Sequence, residues 1–537
     1  MFKNTRFINN NFISEVFIIS ISLLVSVFLF ILSQPNPFIL NGISFFAWLM
    51  LIPILFILSR CSIAKSCVCG FVYGISVCIL YALWLLNYHP IALVLVALYE
   101  GLLYAVVFVL LKISFDLFED YSFIIQCLIW CSFEYLRTLG FLGVNYGVIG
   151  YSQWNNPVLL QSAVLFGVHG LNFVIIFPSC FFFSFINYKD KKISFIKKHK
   201  LSLIGYISVF IALIAYGSTQ LKSKLITDTE KTICLVQNNL DTSIYYNDKN
   251  NGILDFYKRL VSDAIQENEN VDLIVFPEGA VRPRILLNPE DSIPSDMHKD
   301  VIDYLQFFYD INIPVVFGST SLEYDTTRNG IFTYKAYNIS CYLDNKTKTI
   351  PAKIDVYKKR HLVPIIEKIP FVNFCNNKFL KFSSVFSSGK EIITFPLQDI
   401  SFCTPICFEE SFGYDVRHFM NKHPSFILSI SSDLWSKSIV CQKQHLAMEV
   451  FRAVENRLPF LRSSVTGQTV YINQQGKIVE MLDPFTSGVI TVNVPMLKNP
   501  KRTIYGVIGD LTGIVSVLIC TLSFIYKIIK IKRRKAK

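Results

Sequence analysis

The stretch VFIISISLLVSVFLFILS, Val16–Ser33, decides how the chain must be read. It carries no charged side chain, and a helix of about 20 mostly apolar residues crosses the hydrocarbon core of a bilayer. Lys3 and Arg6 before it could also form the basic region of a cleaved signal peptide. However, the apolar run is long, and Ser33-Gln34-Pro35-Asn36-Pro37 offers no small-x-small cleavage site. The stretch therefore reads as a retained span. Seven more follow: Phe38–Leu58, Ser66–Leu86, Ile91–Leu111, Tyr121–Leu136, Val158–Asn187, Leu201–Gly217 and Thr503–Tyr526.

Composition agrees. Of 537 residues 52% are hydrophobic and only 17% charged, against about 25% charged in ordinary soluble chains, and mean hydropathy is +0.44. A disordered chain is excluded and a purely soluble one disfavoured. The 47 Phe partly reflect A/T-rich codons, since Lys, Asn and Ile are abundant too, so the net charge of +12 does not argue for a nucleic-acid partner. The expected organisation is a membrane domain over 1–217 with seven helices, a soluble insert over 218–502, and a last span with a basic tail over 503–537.

Basic residues in the short loops set the orientation. Lys3 and Arg6, Arg60 and Lys65, Lys112, the cluster Lys189 to Lys200, and the tail Lys527 to Lys537 all fall on one side if spans alternate. The opposite loops, Gln34–Pro37 and Asn87–Pro90, carry none. The basic side is then cytoplasmic, both termini lie inside, and the insert is extracytoplasmic. The insert's cysteines, Cys234, Cys341, Cys375, Cys403, Cys407 and Cys441, show no CxxC pair and no His-Cys metal spacing, so most read as buried apolar side chains.

Within the insert, strand patterns (Thr232–Gln237, Asp272–Phe276, Pro314–Gly318, Tyr337–Leu343, Ile400–Cys407, Ser425–Ser431, Gln468–Ile472) alternate with helical ones (Ile253–Glu267, Met297–Tyr309, Val440–Asn456), and Asn473–Lys477 reads as a hairpin turn. Such alternation predicts layered α/β, with chemistry where strands end. Three strand-end signals stand out: Glu278 in Phe276-Pro277-Glu278-Gly279-Ala280, the basic cluster Lys358-Lys359-Arg360-His361, and Cys407 followed by Phe408-Glu409-Glu410. Singly, each has a plainer reading: a solvated turn, a stripe facing lipid headgroups, a core cysteine. Together they supply what a thiol nucleophile needs, a base to take its proton and a cation to hold the oxyanion.

That Glu–Lys–Cys order resembles the nitrilase superfamily of carbon–nitrogen hydrolases. The membrane block narrows the resemblance to the apolipoprotein N-acyltransferase family, the bacterial enzymes of the last step of lipoprotein maturation. The segments that carry it are Tyr357-x-Lys359-Arg360-His361-Leu362-Val363-Pro364-x-x-Glu367-x-x-Pro370, Ser432-Asp433-Leu434-Trp435, Gln444-His445, Arg452-Ala453-x-Glu455-Asn456-Arg457-x-Pro459, Glu134-x-x-Arg137, Gly150-Tyr151-Ser152-Gln153 and Thr503-x-Tyr505-x-x-x-Gly509-Asp510. The resemblance implies an αββα sandwich for the insert. It also implies Glu278 as general base, Lys359 as oxyanion stabiliser and Cys407 as nucleophile, with Glu367 and Glu409 supporting them and Tyr246, Phe408 and Trp435 at the substrate. Departures from the family pattern include Lys358 where Asp is common, Ile366 where Gly is usual, Gly143-Val144-Asn145-Tyr146 in place of Gly-Phe-Pro-Trp, and Phe408 without a tyrosine's hydroxyl.

The implied reaction is a ping-pong acyl transfer in the bacterial inner membrane, with the catalytic domain periplasmic. A phospholipid donates its acyl chain to Cys407, and the amino-terminal diacylglyceryl-cysteine of an apolipoprotein takes it. Metal and cofactor are not expected; membrane lipids, phospholipid and apolipoproteins are the partners. Glu409 and Glu410 are expected to raise the thiol pKa by repulsion and Lys359 to lower it, and Lys359→Ala to silence the enzyme without unfolding it. Phe371, Phe374, Phe379, Phe382 and Phe386 could enter lipid or pack a core. Glu100 is expected to make a structural polar contact and Glu134 to pair with Arg137. The rival readings are a membrane-tethered amidase and a non-enzymatic sensor or transporter with an extracytoplasmic binding domain.

Overall fold

A computed structural model describes residues 12–188, 192–240, 251–268, 270–286, 295–328, 331–344, 354–364, 366–368 and 386–535. They divide into two compact units: Met1–Ser223 with Ser436–Phe451 and Val507–Lys537, and Lys224–Trp435 with Arg452–Gly506.

The first unit is helical because its sequence has almost nothing else to offer a backbone in lipid, where every N–H and C=O must be paired within the segment. Among the described residues six stretches are long and apolar enough to cross a membrane: Ile13–Ser33, Ile63–Tyr81, Pro90–Leu136, Ala163–Asn187, Lys200–Lys222 and Leu511–Arg534. The fourth and fifth apolar runs of the sequence join in the 47-residue stretch Pro90–Leu136, where a turn at Glu119, with φ +47°, separates helices Pro90–Phe118 and Ser122–Leu136. The run Phe38–Leu58 forms only a short turn, Ser44–Trp48, and an eight-residue helix, Leu51–Leu58. Helices Ile63–Tyr81 and Pro90–Phe118 approach closely through small residues. A Cβ at Gly74 would lie 2.6 Å from the Glu100 carbonyl oxygen and 2.8 Å from the Gly101 Cα.

The buried charges at the centre of this unit are paired, as low-dielectric surroundings demand. Arg137 stands 3.4 Å from Glu100 and 3.9 Å from Glu134 and donates to the Tyr146 carbonyl at 2.7 Å, while Trp130 donates to Glu134 at 3.0 Å. Both expected carboxylate contacts are present, on one guanidinium. Segment Ser436–Phe451 also counts with this unit. Its Gln444 accepts from the Trp84 indole at 2.9 Å and donates to the Pro35 and Tyr81 carbonyls, each at 3.1 Å.

The second unit contains two sheets. Its strands are β1 (Thr229–Gln237), β2 (Leu273–Val275), β3 (Ile285–Leu286), β4 (Val315–Arg328), β5 (Ile331–Leu343), β6 (Asp355–Lys358), β7 (Phe395–Leu397), β8 (Ile400–Cys403), β9 (Phe426–Ser431), β10 (Phe460–Ser464), β11 (Val470–Ile472), β12 (Ile478–Met481) and β13 (Gly488–Met496). The first sheet runs β13-β1-β2-β4-β5-β6 with β3 beside β4, and the second β12-β11-β10-β9-β8-β7. Parallel neighbours β1 and β2, β2 and β4, β8 and β9, and β9 and β10 are joined through helices Asn251–Glu267, Ser295–Ile311, Gly413–Phe419 and Ile439–Asn456 respectively, the strand–helix–strand crossover that parallel pairing requires.

The sheets meet face to face. The Ser463 hydroxyl on β10 donates to the Val236 carbonyl at 2.6 Å and lies 3.3 Å from the Val275 carbonyl oxygen, and Tyr342 on β5 stacks on Phe395 with ring centroids 5.5 Å apart. The outer face of the first sheet is covered by apolar residues of two helices, among them Tyr257, Val261, Tyr304 and Phe308 against Phe276 and Phe317. Strands buried on both faces read as continuous apolar runs, as β9 does: all six of its residues are buried. The expected hairpin is present, with Asn473 N–H donating to the Lys477 carbonyl at 2.9 Å. The described cysteines are free thiols.

Candidate active site

Glu278, Lys359 and Cys407 leave three different strands at one end of the double sheet. Glu278 follows β2, in a turn that packs directly onto β4: a Cβ on Gly318 would come within 2.5 Å of the Glu278 Cα, so only glycine allows the approach. Lys359 follows β6, and its N–H donates to the Asn338 carbonyl of β5 at 2.9 Å. Cys407 was expected to continue a strand over Ile400–Cys407. The strand instead ends at Cys403, a single bridge pairs Ile406 with Ile430, and Cys407 turns out of line at φ +52° to open the 3-10 turn Cys407–Ser411. A non-glycine residue in that region is strained, and such strain gathers at functional sites.

The side chains form one connected cluster. Lys359 Nζ stands 2.9 Å from Glu367 Oε2 and 3.8 Å from Glu278 Oε1. Asn338 Nδ2 donates to Glu278 Oε1 at 2.7 Å and to Glu367 Oε1 at 3.0 Å, and the Val363 N–H holds the other Glu367 oxygen at 2.8 Å. Cys407 and Glu278 are close enough for each to shift the other's pKa. Lys359 is 1% exposed.

Glu409 faces away from the sulfur. Its Oε1 accepts from the Tyr357 hydroxyl at 2.7 Å and from the Arg360 and His361 N–H groups at 3.0 and 3.2 Å, and its Oε2 from the Ile406 N–H at 3.0 Å. One carboxylate thus straps the lysine loop to the cysteine turn. His361 reinforces the strap, stacked 3.7 Å from the Phe412 ring and 2.9 Å from Asp415.

Burial pushes the Cys407 thiol well above its usual range, and Glu278 and Asp433 push it further while Lys359 and a Ser431 hydrogen bond oppose. The charges that act most on the thiol are therefore not the two acids that follow it, as the sequence suggested, because Glu409 spends its charge on backbone amides. Burial also raises Glu278, against the pull of Lys359. Burial alone would lower Lys359, but Glu367 and Glu278 outweigh it and hold the ammonium charged. The resting site is a neutral thiol beside a carboxylate and an ammonium, an arrangement able to generate a thiolate and receive negative charge on an oxygen.

Of the remaining expected residues, Phe408 is partly exposed with its ring 5.8 Å from His361, and Trp435 is partly buried in the short turn Leu434–Ser436. Tyr246 lies outside the described residues, as do Phe371, Phe374, Phe379 and Phe382. Phe386 is described; its N–H donates to the Glu367 carbonyl at 2.7 Å. Ile366, where the family usually has glycine, is partly buried and precedes Glu367 in a turn. Reading the sequence missed Asn338, and quoted Tyr357 in the lysine-loop motif without giving it a role. Both are polar residues inside buried strands, a signal that could have singled them out.

A double-sheet α/β unit with a glutamate, a lysine and a cysteine converging at its strand ends defines the carbon–nitrogen hydrolase class, here in a chain that also carries long apolar helices. The family model for carbon-nitrogen hydrolases matches residues 232–498, and that for the apolipoprotein N-acyltransferase N-terminal domain matches residues 26–181. Apolipoprotein N-acyltransferase 1 of Treponema denticola is 34% identical over 95% of this chain and 96% of its own length. Apolipoprotein N-acyltransferase 1 of Treponema pallidum is 31% identical over 88% and 89%, and the apolipoprotein N-acyltransferase of Borreliella burgdorferi 27% identical over 70% of each. The chain belongs to the apolipoprotein N-acyltransferase family: it is a membrane acyltransferase of the carbon–nitrogen hydrolase superfamily.

Proposed function

We propose that the protein transfers an acyl chain from a phospholipid to the α-amine of the diacylglyceryl-cysteine at an apolipoprotein's amino terminus, through a thioester on Cys407. Glu278 takes the thiol proton, the thiolate attacks the acyl ester, and Lys359 stabilises the oxyanion. The tetrahedral intermediate collapses as Glu278 returns the proton to the departing lysophospholipid oxygen. The lipoprotein amine then attacks the thioester, Glu278 accepts its proton, and the amide leaves as the thiol re-forms. Glu367 and Glu409 hold Lys359 and the cysteine turn in place, and Tyr246, Phe408 and Trp435 flank the substrates.

The observation that carries this reading is the buried cluster of Cys407, Glu278, Lys359 and Glu367 in a chain whose relatives carry that activity in their names. The membrane unit fits it physically. Both substrates carry long chains, and drawing one into water costs about 0.8 kcal/mol per CH₂, a cost avoided by a site at the bilayer surface. The distribution of basic loop residues supports eight spans in the inner membrane, domains over 1–217, 218–502 and 503–537, both termini cytoplasmic and the catalytic domain periplasmic.

The test is incubation of the full chain in detergent with acyl-labelled phospholipid and a diacylglyceryl-cysteine lipopeptide. Labelled amide, absent with Cys407→Ala, is expected. Ammonia released from small amides with no acyl transfer would mark an amidase instead, and undiminished function in Cys407→Ala a binding protein.

A further inference from the structure

We propose that Ser431 is a further catalytic residue of this site, its hydroxyl donating to the Cys407 sulfur as the thiolate forms, and that Arg462 is the positioning residue that aims it. The inference rests on Cys407 being the nucleophile.

Ser431 ends β9, beside the segment that delivers the cysteine. Ile406 pairs with Ile430, and the Cys407 sulfur lies 4.0 Å from the Ser432 carbonyl oxygen. The Ile406–Ile430 bridge sets Ser431 beside Cys407, and its side chain acts on the thiol as a hydrogen-bond partner that draws the thiol pKa down. On its other side, Arg462 Nη2 donates to Ser431 Oγ at 3.0 Å. A hydroxyl has one proton to give. With its oxygen engaged as acceptor by the guanidinium, that proton is directed to the sulfur.

Arg462 itself is fixed. It lies on β10, is fully buried, bonds Asp433 through the same Nη2, and has its Nε 3.6 Å from Glu410 Oε1. A guanidinium held by two carboxylates cannot turn, and it polarises the serine toward stronger donation. Among the described residues, the charges that act most on the thiol are those of Glu278 after β2, Lys359 after β6 and Asp433 after β9, while Glu409 and Glu410 follow it on the cysteine's own turn. Arg462 reaches it through Ser431.

The chemical consequence is specific. When Glu278 takes the thiol proton, charge appears on sulfur, where the Ser431 hydroxyl can meet it; Lys359 meets the charge that later moves to the carbonyl oxygen. As the sulfur lone pair becomes the C–S bond, the serine hydrogen bond weakens. Ser431 therefore increases the fraction of thiolate while making each thiolate a slightly poorer nucleophile.

The experiment measures the pH dependence of Cys407 alkylation by iodoacetamide in the full detergent-solubilised chain, read by mass spectrometry of the Cys407 peptide, for wild type, Ser431→Ala and Ser431→Thr. A hydrogen bond to a charged group corresponds to roughly one to two pH units. Ser431→Ala is expected to move the profile up by that amount and to slow alkylation at neutral pH roughly 3- to 10-fold. Ser431→Thr, which restores the hydroxyl, is expected to follow wild type. Superimposable Ala and wild-type profiles, or a Thr profile displaced like that of Ala, would overturn the assignment. Alkylation needs no acyl donor, so these outcomes are separate from whether wild type forms a thioester with phospholipid, on which the function itself depends.

Discussion

Lys359 shows what burial adds to a role guessed from a motif. Its ammonium is 1% exposed and pairs with both Glu367 and Glu278, so Lys359→Ala removes more than the proposed oxyanion donor. Losing the donor costs about 10²- to 10³-fold in rate. Stranding the buried carboxylates adds about 3–5 kcal/mol of destabilisation, so the variant should lose thermal stability as well as activity, where the sequence alone suggested activity only. Calorimetry beside a turnover assay checks this, and an unchanged melting temperature would contradict the ion-pair reading. Glu278 offers a pH signature. Its carboxyl is raised above the ordinary 4.5, and a protonated base cannot take the thiol proton. The acid limb of kcat/KM should therefore fall at a pH above 4.5, with activity lost as pH drops through it. Asn338 holds that carboxyl down by donating to it at 2.7 Å, so Asn338→Ala should move the acid limb to still higher pH; a limb that stays or moves down would contradict the contact.

At the scale of elements, the site is held together by a strap and the membrane unit by close helix packing. Glu409 accepts from Tyr357, Arg360, His361 and Ile406, and each buried donor left unpaired costs about 1–3 kcal/mol. Glu409→Ala should therefore lower the unfolding midpoint sharply, and Glu409→Gln, which keeps one acceptor oxygen, should fall between. Equal midpoints for Ala and wild type would show the strap to be idle. In the helical unit, a side chain at Gly74 meets backbone at 2.6 Å, so Gly74→Val should push apart helices Ile63–Tyr81 and Pro90–Phe118 and reduce resistance to detergent unfolding. Much at this scale was legible in the sequence. The long apolar spans and strands such as β1 and β9 announce themselves because burial on all sides leaves apolar runs. What was not legible has physical reasons. The strand expected to reach Cys407 stops at Cys403, since a left-handed residue leaves no trace in periodicity. β6 and β7 are too short to show a period, and β10, Phe-Leu-Arg-Ser-Ser, hides a buried arginine whose partners Asp433 and Glu410 lie far away in sequence.

For the whole molecule, the residues of the site came from local signals, while their convergence came only from topology: Glu278, Lys359 and Cys407 are dispersed along the chain and meet because β2, β6 and the β8 exit open at one end of two packed sheets. In the proposed reaction, the step that makes the cluster an acyltransferase is covalent capture of the acyl chain by one sulfur. The most direct measurement is mass spectrometry of the purified full chain after incubation with phospholipid and no acceptor. A mass increase equal to one acyl chain, located on Cys407, discharged by a diacylglyceryl-cysteine lipopeptide and absent in Cys407→Ala, is the predicted result. An acyl group on another residue, or acyl transfer that persists in Cys407→Ala, would contradict the account.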